Sequence, residues 1–173
     1  YRERVLLTNY VLILANTGIR VGEARGLRWK DIDTDVDGET ENIILQVRGK
    51  TGSREVVART NSVKNYLNRI WELRKQELGE KPSLEEFVFC HRDGKQIGSF
   101  KKGFHNLIKS AGVEFDGEGE RRTVYSLRHT YATFRLQEGV HHFALARNMG
   151  TSVKMLEQFY GHTSNRAMSR ELT

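Results

Sequence analysis

The sequence predicts a mainly α-helical domain with a small antiparallel β-sheet, an α+β class. Apolar residues recur at helical spacing through most of the chain, and glycines stand where those runs stop. A single pair of alternating runs, NIILQVR and REVVAR, flanks the glycine-rich tip GKTGS.

Residues 3–16 read as a helix with Val5, Leu6, Tyr10, Ile13 and Leu14 on one side. It closes at Thr17-Gly18, where glycine accepts a left-handed C-cap. A short second helix starts near Ile19 and carries Val21, Ala24 and Leu27, and DIDTDVDGE follows as a turn-rich segment. The two alternating runs then form a β-hairpin. Asn61-Ser62 cap a helix in which Val63, Tyr66, Leu67, Ile70 and Leu73 keep the helical period up to Gly79, and Pro82 forbids continuation. FVFC, residues 87–90, is expected as a short strand with RDGK as its turn. Ser99 caps a helix with Phe100, Phe104, Leu107, Ile108 and Ala111 on one stripe, ended by Gly112. Residues 113–122 read as polar loop. The remainder reads as three short helices opened at Ser126, His141 and Ser152 and separated by Gly139 and Gly150.

At 173 residues and 20.0 kDa, with 38% hydrophobic residues, the chain suits one compact domain, with neither an internal repeat nor a proline-rich linker. It opens at Tyr1 rather than Met, so a further domain is expected to precede it. The lone Cys90 rules out an internal disulfide and points to a reducing, cytoplasmic setting. No apolar stretch approaches the roughly 20 residues of a membrane span, and no secretory leader pattern is present, so no membrane partner is expected. A formal charge of +6 and a pI of about 9.5 favour a polyanionic partner. Arg54, Arg59, Lys64, Lys101, Lys102, Lys109, Arg121 and Arg122 are expected to form a folded basic surface, an ordinary solvated face being the plainer alternative.

Four places carry chemistry that packing explains poorly. Arg20 and Glu23 lie three apart at a helix start, so the carboxylate can aim the guanidinium at a phosphate; a surface ion pair has the same spacing. Arg128 follows Tyr125 by three residues and precedes His129, near a helix N-terminus that favours anions. The alternative makes Tyr125 and His129 core residues with satisfied polar tips. Lys50 sits at the hairpin tip, within reach of a nucleic-acid groove or simply solvated. Tyr160 ends the last helix in FYGH, as a mobile nucleophile or as a core aromatic. Metal sites are not expected. Asp33, Asp35, Asp37 and Gly38 open like a calcium loop, but Ile44 stands where the bidentate glutamate belongs. His141 and His142 are adjacent and lack zinc-motif partners.

Taken in order, TGIRVGEARGLRWKDID, GKTGSREV, YSLRHTYAT and NMGTSVKMLEQFYGH resemble the catalytic domain of tyrosine recombinases, the phage integrase family, across nearly all of residues 1–173. The resemblance implies that Arg20 and Arg128 clamp the non-bridging oxygens of a scissile phosphate, with Glu23 and His129 in support. It implies that Lys50 protonates the leaving 5′ oxygen. Tyr160 is implied as the nucleophile, giving a 3′-phosphotyrosyl link and a free 5′ hydroxyl. Because that link conserves the phosphodiester energy, neither metal nor ATP nor any other cofactor is implied. Two positions depart from the family pattern: Tyr125 replaces a common histidine or lysine, and Thr151 a histidine or tryptophan. A phenol with an ordinary pKa of about 10 is a poor base at neutral pH, so both are expected as phosphate-positioning hydrogen-bond donors. The implied partners are double-stranded DNA attachment sites, in a tetramer assembled from monomers, with DNA-bending accessory proteins. The implied protein is an integrase of a phage or mobile element whose N-terminal core-binding domain lies outside this chain and whose C-terminal exchange segment, 13 residues after Tyr160, is short. A DNA-binding module without catalysis and a type IB topoisomerase, which acts as a monomer without a defined site, are the alternatives.

Overall fold

A computed structural model describes residues 1–37, 40–49, 52–58 and 60–158. Helix α1 (Arg2–Thr17) buries Leu6, Tyr10, Ile13 and Leu14 along one side. It ends at Gly18, whose φ of 63° lets its N–H return to the Leu14 carbonyl at 3.0 Å. The chain turns at once into α2 (Val21–Gly26) and a 3-10 turn (Trp29–Asp31).

Strands β1 (Ile32–Asp37), β2 (Thr40–Gly49) and β3 (Gly52–Ala58) form one antiparallel sheet in the order β1-β2-β3. Pairing of Val47 with Arg54, Leu45 with Val56 and Ile43 with Ala58 puts all six on one face. That face is the inner one, since Ile43, Leu45, Val47, Val56 and Ala58 are all buried. Helices α3 (Thr60–Leu78) and α1 cover it, and α4 (Lys101–Ser110), α5 (Ser126–Gln137) and α6 (His142–Met149) complete the fold. Residues 153–158 are helical again.

Tyr10 anchors the main core, stacked on Phe100 at 4.2 Å between ring centroids and edge-on to Phe89 at 5.1 Å. A second, smaller apolar cluster joins Tyr131, Ala132 and Leu136 of α5 to Leu145, Ala146 and Met149 of α6 and to Leu156. Helix α5 belongs to both, because Val124 and Leu127 at its start pack on the main core.

The α+β expectation holds, with three corrections. DIDTDVDGE is not a turn over its described residues: Ile32–Asp37 form β1, because β2 supplies a ladder from Ile32–Leu45 to Asp37–Thr40 and the acidic Asp33 and Asp35 remain exposed. FVFC is not a regular strand. Its backbone threads between two segments, with Val88 N–H bonded to the Leu27 carbonyl and Phe89 C=O accepting from Ile97 N–H, but only single bridges form at Phe87 and Cys90. In α4, Phe104 and Ile108 are buried while Leu107 lies 41% exposed, so the apolar stripe is narrower than its sequence suggests.

Candidate phosphate-binding site

Arg20 is the N-cap of α2 and has extended backbone, so Glu23 one turn later reaches back to it. The Glu23 carboxylate accepts from Arg20 N–H at 2.7 Å and from Arg20 Nη1 at 2.9 Å. The expected pair therefore forms, but it is no surface ion pair: the Glu23 side chain is 1% exposed and that of Arg20 37%. A third member closes the group. Arg54, on the inner face of β3, grips the same carboxylate with both ends of its fork, Nη1 to Oε1 and Nη2 to Oε2 at 2.9 Å. Burial would push the Glu23 carboxyl up, yet the bonds from Arg54 and then from the Arg20 backbone and side chain hold it below the ordinary carboxylate value.

Arg128 lies in the first turn of α5, buried, with Nη1 donating to the Gly18 carbonyl at the end of α1. This contact exists because α1 and α5 come unusually close there: a Cβ on Gly18 would fall 2.3 Å from the Tyr131 ring. Burial lowers the Arg128 pKa, opposed by the nearby Tyr125 phenol and reinforced by the positive charges of Arg20 and Arg54. Tyr125 is half exposed, and its ring meets that of His129 edge-on at 5.0 Å between centroids. Burial and the Arg128 charge together lower the His129 pKa, which favours the neutral imidazole.

The C-terminal turn of α6 completes the arrangement. Gly150 adopts φ 66° and its carbonyl accepts from Arg20 Nη2, while Thr151 N–H bonds the Ala146 carbonyl at 2.9 Å. Thr151 thus stands one residue from an atom that Arg20 touches. Arg20 with Glu23, Tyr125 with Arg128 and His129, and Thr151 come from three parts of the sequence and, with Arg54 of β3 as a fourth, converge here. Lys50 and Tyr160 lie outside the described residues. The described residues that precede them are Gly49, where a Cβ would sit 3.0 Å from Glu23 Oε1, and Gln158.

Arg54 was expected on a basic surface, and that expectation is corrected: its side chain is 18% exposed and turned inward. Strand parity with Val56 and Ala58 carried the signal. Of the other basic residues, Arg59 lies outside the described set, Lys64 pairs with Glu41 at 2.6 Å and Arg121 with Glu114 at 2.8 Å. Lys101, Lys102, Arg121 and Arg122 do line an open groove that runs up to Tyr125.

The family model described as the phage integrase family matches residues 2–168. Tyrosine recombinase XerD of Staphylococcus aureus (strain N315) is 28% identical over 167 residues, covering 95% of this chain and 51% of the relative. XerD of Staphylococcus epidermidis (strain ATCC 35984) is 26% identical over 173 residues, 100% of this chain and 54% of the relative. The chain thus spans about half the length of these curated relatives. XerH site-specific recombinase bound to palindromic difH substrate, in a post-cleavage complex, has the same fold at a TM-score of 0.75 and 20% identity, over 98% of this chain and 46% of that one. The Tn1549 transposon integrase in complex with transposon right end DNA follows at 0.64 and 23%, over 95% and 58%. No helix among the described residues is long and apolar enough to cross a membrane. With its fold, its clustered arginines and a family match along nearly its whole length, the chain belongs to the phage integrase family.

Proposed function

We propose that this chain is the catalytic domain of a site-specific DNA recombinase, an integrase-type enzyme that cuts and rejoins duplex DNA through a 3′-phosphotyrosyl link. One observation carries the reading: Arg20 and Arg54 both bond the buried Glu23 carboxylate, and the buried Arg128 adds a third positive charge beside them. The surplus positive charge is held by fixed groups partly out of water, which suits an anion that gains charge as it reacts. Arg20 and Arg128 bind the non-bridging oxygens, and attack of the Tyr160 phenolic oxygen on phosphorus forms the tyrosyl ester as the phenol proton passes to water and the bond to the 5′ oxygen breaks. Lys50 gives that oxygen its proton. Thr151 and Tyr125 donate hydrogen bonds that position the phosphate, and His129 backs Arg128. Fixed guanidiniums strengthen their hold as negative charge builds, which lowers the barrier rather than merely binding the ground state.

The partner in this reading is duplex DNA at defined attachment sites, in the cytoplasm. Four protomers that are monomeric in isolation assemble there with a core-binding domain from the rest of the protein, and DNA-bending proteins shape the complex. The test is covalent capture. The protein with its core-binding domain restored, and separately Tyr160→Phe, are incubated with nicked duplexes that lose the 5′ fragment on cleavage. A denaturant-resistant protein-DNA band that disappears in Tyr160→Phe, with DNA affinity kept, is the expected result. Salt-sensitive DNA binding without any band from the parent protein would leave a binding module instead.

A further inference from the structure

We propose that Arg54 is a positioning residue of the phosphate site: its guanidinium locks the carboxylate that orients Arg20 to the backbone turn that leads into Thr151. Beyond its fork onto Glu23, Arg54 donates from Nη2 to the Met149 carbonyl at 2.9 Å and from Nε to the Asn148 carbonyl at 3.2 Å. Those carbonyls belong to the last turn of α6, where an α-helix leaves acceptors without intrahelical donors and carries partial negative charge. One planar group therefore satisfies a buried anion and a helix C-terminus together.

The packing is tight enough to fix the turn. A Cβ on Gly150 would lie 2.7 Å from Arg54 Cζ, so the guanidinium lies close against the Gly150 backbone, whose carbonyl accepts from Arg20. Arg54 directs its donors into four bonds within the protein, two to Glu23 and two to carbonyls of α6, which suits a holder of the site rather than a phosphate ligand. A lysine in its place keeps the charge but cannot make the fork and the two carbonyl bonds at once. The inference rests on the recombinase reading above.

The experiment uses the full-length protein, with Arg54→Gln, Arg54→Lys and the double variant Arg54→Gln/Glu23→Gln. Single-turnover covalent capture on the nicked duplex is measured from pH 5 to 9, beside DNA affinity and melting temperature. With Arg54→Gln, cleavage falls on the order of a hundredfold, the scale of a misplaced reacting group, and Arg54→Lys recovers about a tenth or less of the parent rate. DNA affinity stays within about twofold, since the lost interaction is made within the protein. Glu23 is faced by Arg20 from the α2 N-cap, by Arg54 from β3 and by Arg128 from α5, with Gly49 of β2 adding only backbone. Without the Arg54 fork, burial raises the Glu23 carboxyl and an acid limb enters the rate profile; the double variant loses that limb while remaining slow. A general loss of stability would not create a limb that Glu23→Gln removes.

Cleavage by Arg54→Gln within about threefold of the parent, or a slow variant whose profile keeps the parent shape, overturns the inference. Where Arg54→Gln does not fold, Arg54→Lys decides: parent-like cleavage overturns the inference, and a loss on the order of tenfold at unchanged melting temperature supports it. A parent protein that forms no adduct overturns the recombinase reading and this inference with it. A parent that cleaves beside unaltered variants overturns the inference alone.

Discussion

Glu23 is the residue on which the site turns, a buried anion whose ionised form Arg54 and Arg20 stabilise. Its folded pKa lies below the ordinary carboxylate value because the bonds from Arg54 and Arg20 outweigh burial. The unfolded chain therefore takes up the proton first on acidification. The stability from this group is fully present above the unfolded value, about 4.3, and is lost as pH falls toward the folded one. Glu77, which burial raises but its bond from Arg2 lowers further, contributes to the same acid limb. We predict that Glu23→Gln is less stable than the parent by about 1–3 kcal/mol at pH 7, because the partly buried guanidiniums of Arg54 and Arg20 lose their counter-charge. The gap between their chemical-denaturation curves should narrow below about pH 4.5. A gap independent of pH would mean that Glu23 is not held ionised by its partners. The Arg20–Glu23 relation was legible from spacing alone, since the third helical residue can reach back to the cap. Arg54 was not, because its role depends on which face of β3 meets α6, and on α6 arriving from about a hundred residues away.

At the scale of elements, the join between α1 and α5 rests on Gly18. Its positive φ closes α1, its carbonyl receives Arg128, and its missing side chain makes room for Tyr131. Alanine there would meet backbone strain of about 1–2 kcal/mol and an overpacking cost of about 1–3 kcal/mol. We predict that Gly18→Ala destabilises the protein by roughly 2–5 kcal/mol in chemical denaturation. Covalent capture should fall as well at temperatures where the variant is folded, because Arg128 shifts with α5. An unchanged midpoint would show that Tyr131 moves aside freely. This glycine was legible as a helix stop but not as a contact, since chain-local reasoning finds the turn and not the ring above it. The same limit explains β1 and FVFC. An aspartate-rich segment became a strand because a neighbour offered a ladder, and an apolar run failed to become one because its two neighbours offer only single bridges.

At the scale of the molecule, the two apolar clusters are tied by polar contacts as well as by α5. Asn148 is the clearest tie. Its side chain accepts from Val57 N–H at 2.8 Å and donates to the Val57 carbonyl at 3.1 Å, so it pairs with the open edge of β3 as another strand would. The same amide donates to the Tyr131 hydroxyl at 3.2 Å, linking sheet, α5 and α6. Helix α6 itself has only eight residues, too few to be stable alone, so its order comes from these attachments and from Leu145, Ala146 and Met149. Replacing Asn148 by alanine removes two or three modest hydrogen bonds, together on the order of 1–3 kcal/mol. We predict that amide exchange in residues 142–158 accelerates by about 5- to 100-fold in Asn148→Ala, while the core amides of α3 change much less. Mass-resolved hydrogen exchange on peptides from these two regions checks it. Equal acceleration in both would show one cooperative unit. Selective acceleration would show that the turn leading into Thr151 opens apart from the main core, so that the segment preceding Tyr160 can shift while Arg20 and Glu23 stay in place.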